Sequence, residues 1–397
     1  MEEFLDPNQE FGAFYNSFKV LLSYGRRAAE KISDHLGNLF QASQLIRTSH
    51  ETGGLIHITG MGRSNKVGLI IGELLKDAGY NVSYLGKTLA RSVRENDVVI
   101  AISGSGWTNT TLLYVDSCIR KKATIIAFTG DIDSKLGRLA DIVLLIPRKM
   151  EEIHPFSDVA LSGYIRRQVA GIGSPLTPMG TLFEITSFLV GSGLVATLRG
   201  EKSDSGSKLR KFQKTCREML SAAEITLEKT ISNSNHLRSL IKELSTTKNI
   251  FISGAGMSGI VASIASIRFQ HLGIMTVRAP YDWRFRKKND LLLIISGSGK
   301  TKALISAAEQ AIESEMRLVS LTSFKESSIT KMSNLSLWVN GRKSNVSEYE
   351  VPHKNQDLVN PAFEWSTAIF LDSIVAQLAY NLKITEDLMR QEHSNVE

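Results

Sequence analysis

Two loops rich in Ser, Gly and Thr carry the residue types that bind phosphate. SGSGWT begins at Ser103, and SGSGKT begins at Ser296. Glycine lets the backbone turn tightly and approach a ligand, and free N–H groups at the start of a following helix bind an anion. Hydroxyl groups supply further donors. One such loop can be a purely structural turn, but two in one chain predict anion binding in at least one of them.

The second loop, SGSGKT, ends like a P-loop, which would bind ATP. A P-loop needs a Gly five positions before Gly299, and Ile294 stands there. The other loop has Trp107 in place of Lys300. A nucleotide triphosphate is therefore not the predicted ligand.

A dinucleotide-binding motif, G-x-G-x-x-G, is completed once, by Gly254, Gly256 and Gly259. In dinucleotide-binding folds an acidic residue follows the second strand and binds the ribose. Here Arg278 and Ala279 occupy that place. The sequence thus disfavours NAD, and no cofactor is predicted.

The chain repeats itself, which indicates a duplicated domain. The offset between copies is 194 residues at Gly60 and 193 at Ser103, but 180 at Glu184. The first copy therefore carries about 13 extra residues, which we place at 151–178. The three recurring pairs are IHITGMGRSNKVG with IFISGAGMSGIVA, NDVVIAISGSGWTNT with NDLLLIISGSGKTKA, and TLFEITSFLVGSGLVA with PAFEWSTAIFLDSIVA. We predict domains at 1–203 and 204–397, joined by a polar linker.

Short apolar runs alternate with helix-length amphipathic segments in each copy, after helical segments near 13–48 and 208–245. Continuous apolar strands separated by helices are typical of a parallel sheet covered on both faces. We therefore predict an α/β fold: two tandem, doubly wound, flavodoxin-like domains, each with a five-stranded parallel sheet. The predicted strands lie near 55–59, 81–85, 97–102, 124–128 and 141–146, and near 249–253, 274–278, 290–295, 317–321 and 335–339.

Composition limits the class of protein. The 397 residues include 42% hydrophobic and 22% charged residues, as in soluble globular proteins, and the net charge of +7 favours anionic partners. The densest basic patch is Arg284, Arg286, Lys287 and Lys288. No aromatic-plus-basic recognition motif accompanies the patch, which is typical of a solvated loop, so no nucleic-acid partner is predicted.

Location is predicted from the two cysteines and the apolar runs. Cys118 and Cys216 have no near partner, which fits a reducing cytoplasm and disfavours a cysteine metal cluster. The acidic MEEFLDPNQE segment is unlike a leader peptide. The apolar run at Phe188–Leu198 is too short to span a bilayer. We expect a cytoplasmic protein that binds no metal and no membrane.

The motifs G-x-G-x-S and S-G-S-G-x-T, followed by a final helix with Phe-Glu, resemble the sugar isomerase (SIS) domain family. GAGMSG, SIRFQHLG, ISGSGKT and AFEWSTAIFLDSIVAQL are similar to 6-phospho-3-hexuloisomerases in particular, and the first copy shares GMGRSN and PMGTLFEITSFL. The resemblance covers most of the chain apart from the extra segment and the linker. It implies a phosphorylated sugar as substrate.

The resemblance also assigns roles to residues. The implied phosphate ligands are Ser103, Ser105, Thr108, Ser296, Ser298 and Thr301. The implied sugar-binding residues are Gly62, Arg63, Ser64, Gly256, Ser258 and Arg268. The implied catalytic residues are Glu184, Glu364 and His393. A partly desolvated carboxylate can move a proton between neighbouring sugar carbons, and an imidazole can shuttle a hydroxyl proton. A Glu near a helix start can also merely suit the helix dipole, and a terminal His is usually solvated.

The two copies depart from the family differently. Met257 stands where the first copy keeps Arg63, and the first copy has no counterpart of His393. Two explanations follow. Composite sites can form between the copies, in which case two chains form a homodimer that replaces an SIS tetramer. Alternatively, the chain is a regulatory protein that binds a phosphosugar without converting it. The isomerase part of an aminosugar-phosphate synthase is a weaker alternative, because Glu2 stands where a glutaminase has its Cys nucleophile.

Overall fold

The computed structural model describes residues 6, 9–34, 36–88, 90–147, 180–200, 204–278, 283–342, 361–385 and 388–389. The predicted extra segment at 151–178 and His393 lie outside these residues.

The first half of the chain forms a five-stranded parallel sheet with the order β2-β1-β3-β4-β5. All five strands lie within two residues of their predicted bounds, because long apolar runs leave little freedom in where a buried strand begins. The strands are β1 (Ile56–Gly60), β2 (Val82–Tyr84), β3 (Val98–Ile102), β4 (Thr124–Thr129) and β5 (Ile142–Leu145). This is the predicted flavodoxin-like order.

The second half repeats this topology, with the order β10-β9-β8-β6-β7. Counted in chain order, both sheets have the order 2-1-3-4-5. The strands are β6 (Asn249–Gly254), β7 (Met275–Arg278), β8 (Leu291–Ile295), β9 (Arg317–Thr322) and β10 (Leu335–Trp338). In both sheets the strand that ends at the G-x-G motif pairs with the strand that ends at S-G-S-G, with Gly60 opposite Ile102 and Gly254 opposite Ile295. The two loops of each half therefore lie side by side.

Helices cover both faces of the sheets. The first half contributes α1 (Gly12–Asp34), α2 (Leu36–Glu51), α3 (Gly62–Asp77), α4 (Asn109–Ile119), α5 (Lys135–Leu139) and α6 (Thr181–Leu198). The second half contributes α7 (Ser205–Ser232), α8 (Ser234–Thr246), α9 (Gly256–Gln270), α10 (Lys302–Glu313), α11 (Ser328–Met332) and α12 (Ala362–Asn381). The predicted leading segments are thus α1 with α2 and α7 with α8.

The two halves share one hydrophobic core. Helices α6 and α12 are buried along almost their whole length, and α1 and α7 pack against both of them. Helices α3 and α9, which follow the G-x-G motifs, also pack against each other. Trp365 in α12 is fully buried, and its indole Nε1 donates to the carbonyl of Ile185 in α6 (3.0 Å). This packing places the last helices, and the glutamates near their starts, between the two sheets.

Helix α6 is long and apolar enough to cross a bilayer, but 89% of it is buried inside the protein. It extends seven residues before the predicted apolar run, and its burial is that of a core helix.

Candidate active site

The S-G-S-G-x-T loop of the first half connects β3 to α4. Ser103 Oγ lies 3.0 Å from Thr108 Oγ1 and accepts a hydrogen bond from the Gly106 N–H (3.1 Å). Ser105 Oγ accepts from the Trp107 N–H (3.1 Å). Thr108 is the N-cap residue of α4. The structure therefore brings the three predicted phosphate ligands together around one turn at a helix N-terminus, where an anion is favoured.

The second half builds the same loop between β8 and α10. Ser296 Oγ lies 3.4 Å from Thr301 Oγ1 and accepts from the Gly299 N–H (3.2 Å), while Ser298 Oγ accepts from the Lys300 N–H (3.2 Å). Because each hydrogen bond has its counterpart in the first half, the loop conformation follows from Ser-Gly-Ser-Gly-x-Thr and not from the variable residue.

The last glycine of each loop is required by the backbone. Gly106 has φ of 69° and Gly299 has φ of 63°, values that favour glycine. A Cβ at Gly106 would also lie 2.0 Å from Ser134 Oγ, and one at Gly299 would lie 2.1 Å from Ser327 Oγ. These glycines let the loop close on the next turn.

The variable residue of each loop points outward. Trp107 is 56% exposed and Lys300 is exposed as well. Ile294, which takes the place of the first P-loop glycine, is buried inside β8. The geometry thus agrees with the interpretation that the shared residues, and not Lys300, form the binding loop.

In the first half, Glu184 lies beside the phosphate loop at the fourth residue of α6. The preceding residue, Phe183, packs on the loop: a Cβ at Gly104 would lie 3.0 Å from its ring. Arg63, from the start of α3, donates to Thr181 Oγ1 (3.0 Å) and places Nη1 3.3 Å from Glu184 Oε2. The structure therefore brings together Glu184, the implied catalytic residue, and Arg63, an implied sugar-binding residue.

The pKa of Glu184 is raised from its ordinary value of 4.5 to about 7, mainly because burial removes water from the carboxylate. Arg63 and Arg268 oppose this rise, and Asp372 adds to it. Two of these charges belong to the second half. A carboxyl group with a pKa near neutrality is suited to accept and return a proton at physiological pH.

The raised pKa makes a prediction about stability. The folded protein binds a proton at Glu184 up to about pH 7, whereas the unfolded chain loses it near pH 4.5. The stability that this proton supplies is complete below pH 4.5 and is lost as pH rises through 7. We expect Glu184→Gln to raise the free energy of unfolding by about 3 kcal/mol at pH 8 relative to the parent, and by little at pH 4.5. Urea unfolding at the two pH values measures this, with exposed Glu326 replaced by Gln as control. An equal effect at both values would contradict it.

In the second half, Glu364 is the third residue of α12 and its side chain is only 1% exposed. Ser258 Oγ donates to its Oε1 (2.9 Å), so the G-x-G-x-S loop and the glutamate are in contact here. Arg342 Nη2 donates to the same oxygen (2.6 Å). Within the described residues, no group donates a hydrogen bond to Oε2.

Arg342 is the residue that sequence analysis missed. It follows β10 in a loop, where nothing in its spacing indicates a role. The only signal was indirect: Met257 stands where the first half has Arg63, so an arginine was missing beside Glu364.

The first loops differ in what they contribute. Gly62 and Gly256 begin α3 and α9 with φ of 53° and 55°. Ser64 is half-buried at the start of α3, but no hydrogen bond joins it to Glu184 among the described residues. Of these two serines, only Ser258 makes a hydrogen bond to the glutamate of its own half.

Arg268 was predicted to bind the sugar, and the structure places it in the packed core. The side chain is 1% exposed, and its Nε lies 2.7 Å from Asp372 Oδ1. Nη1 donates to Nδ1 of buried His271 (3.2 Å). Arg268 acts on Glu184 through its charge, since it lowers the pKa of that group. A contact with sugar stays a prediction, as does the role of His393.

Among the residues described, no group of three or more His, Cys, Asp or Glu side chains is placed to hold a metal ion. The candidate active site thus contains two glutamates, Glu364 buried and Glu184 largely buried, each engaged by an arginine and each next to a phosphate-type loop.

Fold, loops and glutamates define a protein with two SIS-type halves. The family model of the SIS domain matches residues 54–170 and 243–347. The chain belongs to the SIS domain family.

Relatives add detail. An uncharacterized protein of Aeropyrum pernix is 39% identical over 141 residues, which are 36% of this chain and 64% of that protein, so the match spans slightly less than two thirds of its length. A 3-hexulose-6-phosphate isomerase of Bacillus subtilis is 29% identical over 182 residues, 45% of this chain and 91% of the relative. The solved tagatose-6-phosphate ketose/aldose isomerase of Escherichia coli superposes with a TM-score of 0.62 over 94% of this chain and 95% of its own, at 12% identity. That similarity shows the fold alone.

Proposed function

We propose that this protein isomerises a phosphorylated sugar, with 3-hexulose 6-phosphate to fructose 6-phosphate as the leading reaction. One observation carries the proposal: in each half, a glutamate that is no more than 13% exposed follows directly after the Phe that packs on the S-G-S-G-x-T loop. A sugar phosphate held in the loop would extend toward that glutamate. The 3-hexulose-6-phosphate isomerase of Bacillus subtilis, which matches 45% of this chain, supports the choice of substrate.

In the proposed complex, the phosphate sits in the loop of either half. Backbone N–H groups at the helix start and the hydroxyls of Ser103, Ser105 and Thr108, or of Ser296, Ser298 and Thr301, donate to it. Binding at a helix N-terminus stabilises the negative charge without a metal ligand. The phosphate thereby fixes the distance between the sugar carbons and the glutamate.

The proton transfer follows from the placement of the carboxylate. The glutamate removes the hydrogen from C2 of the 3-ketose, and the electron pair forms the C2–C3 double bond of an enediolate. The hydroxyl proton then moves from O2 to the negatively charged O3. The glutamate returns its proton to C3. The carbonyl is then at C2. Arg63 or Arg342 stabilises the developing negative charge, the usual role of a positioned cation in such a site.

The test is hydrogen exchange in D2O. The protein is incubated with fructose 6-phosphate, and NMR locates the deuterium in the recovered sugar and in any product. Exchange at C3 together with the appearance of 3-hexulose 6-phosphate is expected. Exchange at C1 would indicate an aldose/ketose isomerase of the same class, and bound sugar with no exchange between pH 6 and 9 would overturn the enzymatic proposal.

A non-catalytic phosphosugar-binding protein is the second candidate. It is favoured by the arginines, because each glutamate is already engaged by a cation. In this case the carboxylate would orient Arg63 or Arg342 toward the sugar instead of moving a proton. The same NMR experiment separates the two functions, since only an isomerase introduces deuterium.

We also propose that the domains lie at 1–203 and 204–397, and that two chains form a cytoplasmic homodimer with the arrangement of an SIS tetramer. The shared core supports the part of this proposal in which the two halves of one chain replace two subunits, because α3 packs on α9 and α6 on α12.

A further inference from the structure

The two halves bring an arginine to their glutamate from different elements. In the first half it is Arg63, from the start of α3. The equivalent residue of α9 is Met257, which is buried. In the second half the arginine is Arg342, from the loop after β10. The same ion pair is therefore made from two unrelated positions in the chain.

The side chain of Arg342 lies against the phosphate loop. A Cβ at Gly297, the first glycine of SGSGKT, would lie 2.7 Å from Arg342 Nε and 2.9 Å from its Cγ. The end of the same side chain donates to Glu364 Oε1. Arg342 thus spans the two points that a bound sugar phosphate must join.

The backbone that leads to Arg342 is held in place by neighbouring elements. The Arg342 N–H donates to Ser323 Oγ (3.2 Å), and that hydroxyl donates to the carbonyl of Val339 (2.8 Å). Gly341 has φ of 145°, and a Cβ there would lie 2.1 Å from the backbone N of Phe363. The loop is wedged against the start of α12, which holds the guanidinium next to the loop and the glutamate.

We infer that Arg342 is the substrate-orienting arginine of the second site. It replaces the arginine that is absent at position 257, where Met257 stands. It contacts the phosphorylated sugar between the SGSGKT loop and Glu364. It also anchors Oε1, whereas Oε2, to which no described residue donates, is left for the reaction. The inference rests on the proposed function and deepens it, because it makes Arg342 the counterpart of Arg63 in direct contact with the substrate. An ion pair between Arg342 and Glu364 with only a structural role would not require the Arg342 side chain to pack against Gly297 of the phosphate loop.

The experiment isolates the second site with Glu184→Gln as the parent background, and it measures kcat and KM by exchange into fructose 6-phosphate and binding of the same sugar by calorimetry. Arg342→Ala is expected to reduce kcat/KM about 10- to 100-fold and to weaken binding, because a charged hydrogen bond is lost. Arg342→Lys keeps the charge but not the planar guanidinium, so it should retain only part of the kcat/KM that Arg342→Ala loses.

Met257→Arg added to Arg342→Ala is the decisive variant, because it restores an arginine at the position used by the first half. We expect at least a tenfold recovery of kcat/KM. The matched control, Arg63→Met with Glu364→Gln as background, should weaken the first site in the same way. Thermal unfolding and the conservative Arg342→Gln separate a folding defect from a lost contact.

Two outcomes would overturn the inference while the proposed function stands. One is kcat/KM and affinity within twofold of the parent in both Arg342→Ala and Arg342→Gln. The other is a loss in Arg342→Ala that Met257→Arg fails to relieve. If the Glu184→Gln parent neither exchanges hydrogen nor binds fructose 6-phosphate, the proposed function of the second site fails, and the role of Arg342 falls with it.

Discussion

Replacing both Glu184 and Glu364 by Gln is expected to reduce turnover about 10²- to 10⁴-fold, the usual contribution of a positioned general base. Glutamine keeps the size of the side chain and one carbonyl oxygen, but it cannot take up a proton. Binding of fructose 6-phosphate should change little, because the S-G-S-G-x-T loops hold the phosphate. Initial rates of exchange in D2O and calorimetric affinity measure the two effects separately.

The single variants tell which half is active. If both sites work, each variant should keep part of the activity, with different pH profiles. The activity left in Glu364→Gln should depend on the group with a pKa of about 7, Glu184, and should therefore rise with pH through neutrality. Glu326→Gln alters an exposed carboxylate and serves as the control. A double variant with parental turnover would remove both glutamates from the mechanism, whatever the sugar.

The fold was predictable because central strands such as β3 and β8 are single apolar runs bounded by polar residues. The five residues of β3 and the five of β8 are all fully buried, so a shift in register would expose apolar side chains. The internal repeat gave further support. Because both halves have the same order of motifs, the same parallel topology was expected in both. The structure confirms the predicted strand order in each sheet.

The loops and the glutamates were predictable for a different reason. Gly106 and Gly299 require a positive φ, and short motifs keep such local requirements visible in sequence. Arg342 was not predictable, because its contact with Glu364 joins residues 22 apart through a loop whose path depends on how Gly341 meets α12. The sequence can show that position 257 is Met and not Arg, but it cannot show which other arginine lies beside Glu364.

For Arg268 the residue was predicted but its partner was not. Its position in α9 was evident, but its partner, Asp372, is 104 residues away, and the pair becomes visible only when α9 packs on α12. A single sequence gives the residue type and leaves open whether a ligand or a second side chain neutralises its charge.

Asp372→Asn is expected to lower the free energy of unfolding by about 3–5 kcal/mol, because it leaves the guanidinium of Arg268 buried without its counter-charge. The two side chains are 1% and 5% exposed, so water cannot replace the lost carboxylate. Burial already lowers the pKa of Arg268, and Asp372 opposes that effect. Urea unfolding at pH 7 measures the loss.

The first half supplies the matched control, because Leu74 and Ser192 occupy the positions equivalent to Arg268 and Asp372. We expect the double variant Arg268→Leu with Asp372→Ser to be more stable than Asp372→Ser alone, since removing both charges leaves none uncompensated. A double variant that is less stable than either single variant would show that the pair acts through packing instead of charge.

The same variants should change the titration of the first site, because Asp372 raises the pKa of Glu184 and Arg268 lowers it. Asp372→Asn is therefore expected to shift the pH profile of first-site activity, measured in Glu364→Gln, toward lower pH. Arg268→Leu should shift it toward higher pH, and Arg268→Leu combined with Asp372→Asn should lie between them. An unchanged profile in all three would mean that the second half leaves the proton affinity of Glu184 untouched. Opposite shifts of the single variants would establish that the core pair of one half tunes the base of the other.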